Sequence, residues 1–287
     1  MKFLVIGNLT KDIIRTKKEK KVTFGGSSSY CSITAAKLGC ETYVLSRGNN
    51  ELDEWIKKLK IHGIRVELQK SQNITAFVND YTHEKRVQNL LSDAGKIKFK
   101  PKEKMDVIHV GPVFNEVTIE CVKEARKNCK LLSLDAQGFL REVKNKEVVN
   151  KFWDERDDFL KYIDLLKLGE HEISSLSRNK NYESVCNELL DLGVKVVELT
   201  LGKKGSIIAG KKIYRIPAYT TITIDPTGCG DVFASAFAIR YFETEDEKES
   251  GFFASSAASF VVEDFGTINI VGRDRVERRV EKLRGKK

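Results

Sequence analysis

The chain has 287 residues, of which 41% are hydrophobic and 32% charged. That is enough for one large α/β domain with a sizeable core, and no stretch approaches the ~18 apolar residues that cross a bilayer. The six cysteines form no C-x-x-C pair and no His/Cys cluster has zinc spacing, which argues against a zinc module and for a reducing, cytoplasmic setting. The net charge of +9 is dispersed by Lys/Glu alternation and is locally concentrated only in Arg273–Lys287, so neither nucleic acid nor a membrane surface is expected as a partner.

In chain order, Phe3–Ile6 reads as a first strand, and the short apolar start does not resemble a signal peptide. Ser27–Leu38 reads as a helix stopped by Gly39, Thr42–Ser46 as a strand, and Leu52–Lys60 as a helix ending before Gly63. Val107–Val110, Leu131–Leu134, Leu165–Leu168 and Lys195–Leu199 are apolar runs of the kind buried strands require. Glu116–Lys127 and Tyr182–Leu192 lie between them as helices, and Val276, Val280 and Leu283 give the terminal segment one packed helical face. Strand–helix alternation of this kind predicts a mostly parallel sheet with helices on both faces. Val22–Phe24 and Thr75–Leu91 instead alternate apolar and polar residues, as half-exposed strands of a small second sheet would.

Several motifs fail. Gly202-Lys203-Lys204-Gly205 is not a Walker A loop, Phe233 stands where a G-x-G-x-x-G beginning at Gly228 needs its third glycine, and Ser175 occupies the second histidine position after His171-Glu172. The informative run is Asp225-Pro226-Thr227-Gly228-Cys229-Gly230-Asp231, a tight turn leading from an extended segment into the apolar periodicity of Phe233, Phe237 and Tyr241. Glycines let backbone amides approach a ligand, and the first amides of a helix have no internal partner. Together with the helix dipole they suit an anion, while an aspartate at that point can take a proton from an attacking hydroxyl. A plain Gly-rich turn with Asp231 as helix cap is the structural alternative.

Asp225–Asp231 resembles the second signature of the ribokinase-like (PfkB) carbohydrate kinases, with Cys229 in place of the usual alanine. The resemblance implies a single domain over 1–287, folded as an α/β three-layer sandwich with a β lid from about 13–25 and 74–92. It implies Asp231 as catalytic base, and Gly228, Cys229 and Gly230 as anion hole. Asn8 and Asp12 match the first strand and the substrate aspartate of the family, and Gly25-Gly26 its substrate-facing glycine pair. Thr200-Leu201-Gly202-Lys203-Lys204-Gly205 is similar to its T-x-G-x-x-G. With Thr227, Gly228, Ala257, Ala258 and Gly266, the residues Thr200, Gly202 and Gly205 are expected on the nucleotide. Glu172 falls where N-x-x-E serves Mg²⁺, although Gly169 replaces the asparagine.

ATP as co-substrate and Mg²⁺ follow from the same resemblance, since a transferring phosphoryl group needs a bridging cation. The lid segment and Asp135-Ala136-Gln137-Gly138-Phe139-Leu140-Arg141 look most like the compact archaeal and plant myo-inositol kinases, which implies Asp80, Arg86 and Gln137 as acceptor contacts. The expected activity is phosphoryl transfer to a small sugar or polyol, with myo-inositol favoured. A nucleoside or ketodeoxygluconate acceptor, or a non-catalytic sugar- or nucleotide-binding regulator on the same fold, are the alternatives. A homodimer formed through the lid is a further implication.

Overall fold

The computed structural model describes residues 1–17, 19–82 and 87–285. Numbered along the chain, the strands are β1 (Lys2–Ile6), β2 (Thr10–Arg15), β3 (Lys20–Gly25), β4 (Glu41–Gly48), β5 (Arg65–Lys70), β6 (Thr75–Asp80), β7 (Val87–Ser92), β8 (Met105–Val110), β9 (Cys129–Asp135), β10 (Arg141–Lys144), β11 (Glu147–Asn150), β12 (Leu165–Gly169), β13 (Val196–Thr200), β14 (Ser206–Ala209) and β15 (Ile213–Ile216). The helices are α1 (Ser27–Lys37), α2 (Asp53–Ile61), α3 (Ile119–Lys127), α4 (Arg156–Leu160), α5 (Ile173–Leu176), α6 (Tyr182–Asp191), α7 (Cys229–Thr244), α8 (Glu247–Val261) and α9 (Arg273–Arg284).

A nine-stranded sheet in the order β15-β14-β13-β12-β9-β8-β1-β4-β5 forms the middle layer. Every neighbouring pair from β13 to β5 is parallel, and β14 and β15 close one edge antiparallel. Both faces of the parallel strands are covered, which is why these segments read as continuous apolar runs. Phe3, Val5, Val107, Leu165 and Val196 pack on one side with α1, α2, α7, α8 and α9. Leu4, Ile6, Ile108, Leu166 and Val197 pack on the other with α3, α4, α5 and α6. The result is the ribokinase-like three-layer sandwich.

The second sheet is six-stranded, in the order β10-β11-β7-β6-β2-β3. It is wider than the two segments read from sequence, because the hairpin of β10 and β11 joins it through Glu147 opposite Asn89. The expected helix from Glu116 begins only at Ile119, with Thr118 as its N-cap. Glu116 folds back instead, and its carboxylate accepts the amides of Asn8, Val113 and Phe114 at 2.7–3.0 Å. These bonds tie the end of β1 to the loop after β8.

The basic terminal helix is engaged by its own chain. Val276, Val280 and Leu283 are buried, Arg279 stacks on Phe260 and pairs with Glu263, and Arg273 bonds Glu243 and the Leu38 carbonyl. No helix among the described residues is long and apolar enough to cross a membrane.

Candidate active site

Two helix starts converge above the carboxyl ends of the parallel strands. One is α1, entered through Gly26, whose φ of 82° is in the left-handed region. The other is α7, entered through Gly228 at φ 79°. Ahead of α7 the turn is closed by Asp225, whose carboxylate accepts the Thr227 amide at 2.9 Å, and by the Pro226 carbonyl, which accepts the Cys229 amide at 3.2 Å. The first helical bond runs from Val232 to Gly228. Among the described residues, the amides of Gly228, Gly230 and Asp231 carry no intramolecular hydrogen bond, so these are the donors the turn offers to an anion. Of the anion-hole residues expected from sequence, Cys229 differs: its amide closes the turn, and its thiol lies against the Ala258 carbonyl at 3.9 Å.

Asp231 stands in the first turn of α7 and keeps partial access to solvent. Its surroundings are densely packed, and burial, with the charge of Asp135, pushes its carboxyl up to about 6. Lys167, a hydrogen bond from Ser27 at the start of α1, and Arg141 act in the opposite direction. Such a carboxylate is ionised at neutral pH yet basic enough to receive a proton.

The residues expected on the acceptor side lie on the second sheet. Asp12 on β2 accepts from the Thr10 hydroxyl at 2.8 Å and from the Asn79 amide at 3.4 Å, and Asn79 in turn accepts from Gln88 at 2.8 Å. Gly25 lies beside it, where an added Cβ would come within 3.1 Å of the Asp12 carboxylate. Pairing of β2 with β6 sets Asp12 opposite Phe77 and Ile14 opposite Asn79, so Asp12, Phe77 and Asn79 share one face. Arg15 pairs with Asp80, which places Asp80 on the other face, where its carboxylate accepts the amide and hydroxyl of Thr82. Asn79 therefore stands where the sequence reading put Asp80. Arg86 lies outside the described residues. Asn8 is fully buried, donating to Thr75 and accepting the Arg47 amide, and so it braces the end of β1 from behind. Gln137 is half-buried, with its amide anchored on Asp135.

Tyr30 joins the two halves. Its ring packs so closely on Gly228 that a side chain there would overlap it. Burial raises its hydroxyl pKa, and the charges of Asp231, Asp225 and Asp12 add to the effect, as expected for a residue lying between acceptor and anion turn.

On the far side of the turn, Thr200 ends β13 with its hydroxyl on the Leu168 carbonyl. Gly202 and Gly205 both take positive φ, and Gly205 leaves no room for a side chain against the Ile216 carbonyl. The Ile224 amide donates to the Val262 carbonyl at 2.6 Å, which ties the segment ahead of the turn to the end of α8. Ile222 and Ile224, just ahead of the turn, and Phe265 and Ile268, beyond α8, are exposed apolar side chains. Ala257 and Ala258 are buried in α8.

Glu172 is buried, and its carboxylate accepts the Gly169 amide at 2.6 Å. A side chain at Gly169 would meet the His171 ring at 2.9 Å. Glu170, a second candidate oxygen donor, bonds Tyr182 and Lys204 instead. Among the described residues no group of three or more His, Cys, Asp or Glu side chains has the arrangement of a metal cage.

Taken together, the Asp12 carboxylate, a glycine turn with free amides and a basic aspartate are gathered around Tyr30. A family model described as pfkB family carbohydrate kinase matches residues 3–272. The chain belongs to this family. Membership makes it a kinase, a phosphotransferase acting on a small sugar or nucleoside acceptor. A nucleoside kinase of Methanothermobacter thermautotrophicus is 27% identical over 263 residues, spanning 87% of this chain and 82% of its own. A pyrophosphate-dependent kinase of the ribokinase family, solved with sulfate, superimposes with a TM-score of 0.86 at 24% identity, covering 96% of this chain and 99% of its own. The structure of such a kinase with a pyrophosphate analogue and myo-inositol gives 0.85 at the same identity and coverage. At that identity these two likenesses bear on the fold.

The sequence reading passed over Asn79, Gln88, Tyr30 and Lys167. Lys167 is the least expected of these, a lysine in the middle of an apolar strand that is 6% exposed.

Proposed function

We propose that the chain transfers the terminal phosphoryl group of ATP to a hydroxyl of a small acceptor carrying adjacent hydroxyls, a nucleoside before a free polyol. The observation that carries this reading is the turn itself: Gly228, Gly230 and Asp231 present unpartnered amides, and the Asp231 carboxylate sits in the same helical turn. The acceptor hydroxyl loses its proton to Asp231 as its oxygen bonds to phosphorus, and the bond to the leaving phosphate breaks on the opposite side. The amides hold the oxygens of the group in flight. Mg²⁺, held by the donor's phosphates and Glu172 through water, would neutralise part of their charge.

The nucleoside is placed first because the 27% identical relative that spans most of both chains is a nucleoside kinase. Asp12, aided by Asn79, suits the adjacent hydroxyls of a ribose. Myo-inositol is the second reading, supported by the polar face of Asp12, Asn79 and Gln88 and by the fold likeness to the inositol-bound kinase. The exposed Ile222, Ile224, Phe265 and Ile268 favour a donor with a base to cover them, which pyrophosphate lacks.

The test is a matrix of acceptors (nucleosides, ribose, myo-inositol, ketodeoxygluconate, fructose 6-phosphate) against ATP and pyrophosphate with Mg²⁺. A nucleoside phosphorylated from ATP is the expected result. Turnover with no pair would refute the kinase reading of the site. In the active pair, Asp12→Asn should raise the acceptor KM about 10- to 100-fold, as expected when a charged hydrogen-bond acceptor is lost, with donor KM unchanged. An unchanged acceptor KM would remove Asp12 from the acceptor site.

A further inference from the structure

Buried polar side chains stand on the central sheet in two successive steps below the anion turn. His109 on β8 is paired in register with Ser133 on β9, and Lys167 on β12 with both Asp135 on β9 and Glu198 on β13. These residues are between 0% and 6% exposed. His109 and Ser133 are level with Leu165 and Val196, and Asp135, Lys167 and Glu198 lie one step nearer the carboxyl ends of the strands, so these three form the last layer of the sheet before the active site.

Of these polar groups, Lys167 supplies the fixed cation. The Lys167 ammonium donates to Asp135 at 2.9 Å. Among the described residues no second hydrogen-bond acceptor holds it, which leaves two of its three N–H groups available. It lies against the anion turn, for a Cβ on Gly230 would come within 2.8 Å of it. Glycine at 230 thus keeps the space through which the ammonium faces the turn.

The neighbouring groups give this cation a purpose. Burial opposes its charge, but Asp135 outweighs that, assisted by Glu172 and Asp231, and Lys167 stays protonated. Asp135 is held ionised mainly by Lys167 against its own burial. Glu198 has no hydrogen-bond partner for either oxygen, and burial raises its carboxyl well above the ordinary range, while burial lowers His109 to about 4. Burial disfavours charge on both, which leaves Asp135 and Lys167 as the charged pair, each offsetting the other. Asp231 then adds a negative charge where an anionic phosphoryl group must arrive.

We propose that Lys167 is a catalytic cation of this kinase, its free N–H groups donating to the transferring phosphoryl oxygens beneath Gly230. The inference rests on the phosphotransfer reading of the site and adds to it a fixed protein charge. Lys167 moves no proton. It binds oxygens whose charge grows as the donor's bridging P–O bond breaks.

Lys167→Met alone would strand the Asp135 carboxylate in the interior and risk unfolding. The decisive variant is therefore Asp135→Asn/Lys167→Met, which removes both charges together, with Lys167→Arg as the conservative partner. With the active substrate pair, the double variant should lose about 100-fold in kcat while melting as a folded protein, and its acid limb in kcat/KM should shift. Lys167→Arg should recover part of the rate. Wild-type kcat in the double variant would overturn the proposal, because Lys167 would then serve only to neutralise Asp135. Calorimetric titration with inorganic pyrophosphate decides the matter independently of any acceptor. Binding weakened about tenfold in the folded double variant supports Lys167, and unchanged binding overturns it even if the wild type phosphorylates nothing.

Discussion

Asp231→Asn should lower kcat by ~10²–10⁴-fold while the donor KM stays within a few fold. Asparagine keeps the shape of the side chain and can still accept from Ser27, but it cannot take a proton from the acceptor. In the wild type the same group should give an acid limb in kcat/KM. Burial and Asp135 raise its pKa to about 6, so the base is protonated and idle below that pH and ionised above it. Steady-state rates between pH 5 and 9 on both proteins check this. Retention of kcat within threefold, or a wild-type profile flat down to pH 5, would show that Asp231 is not the base.

The same shift has a consequence for stability with the opposite sign. A carboxyl whose pKa rises from 3.8 to about 6 on folding binds its proton more tightly in the native state. The native state is favoured by that proton below pH ~4, the advantage declines through pH 4–6, and above pH 6 the buried charge is a fixed cost. Asp231→Asn removes the cost. The inactive variant should therefore be more stable than the wild type at pH 7.5 by on the order of 1–3 kcal/mol, with no gain at pH 4. Urea unfolding at the two pH values measures the difference.

What the sequence made legible divides along physical lines. The strands β1, β8, β9, β12 and β13 were readable because both faces are buried and their residues are correspondingly apolar. The anion turn was readable because its chemistry is contiguous: two glycines, an aspartate and a helix start within a few residues. Contacts made across strands were not. Asp80 and Asn79 differ by one position, and only the pairing of β2 with β6 decides which of them shares a face with Asp12. Lys167 carries no local signal within an apolar strand, and only the register with Asp135 and the approach to Gly230 give it a place. The late start of α3 follows from Glu116 capturing three amides, a long-range arrangement that local propensity cannot register. The hairpin of β10 and β11 is short and half-exposed, and so carries almost no apolar signal.

The turn's rigidity can be tested separately from its charge. Gly228→Ala should lower kcat at least ~100-fold and destabilise the fold by about 2–4 kcal/mol. Two penalties coincide there. The backbone holds φ at 79°, a conformation that costs an L-residue about 1–2 kcal/mol, and the added methyl would overlap the Tyr30 ring. Tyr30 is buried beneath the turn, so the turn must move instead, carrying the Gly230 and Asp231 amides with it. A displacement near 1 Å is enough to cost about two orders of magnitude in rate. Gly63→Ala isolates the first penalty, because Gly63 has a similar φ of 76° and nothing within 4 Å of the added methyl. It should lose only about 1–2 kcal/mol in stability and keep its kcat. If the two variants lose stability equally and Gly228→Ala remains active, then the packing of Tyr30 on the turn does not set the position of the amides. The anion site would then owe its geometry to the helix start alone.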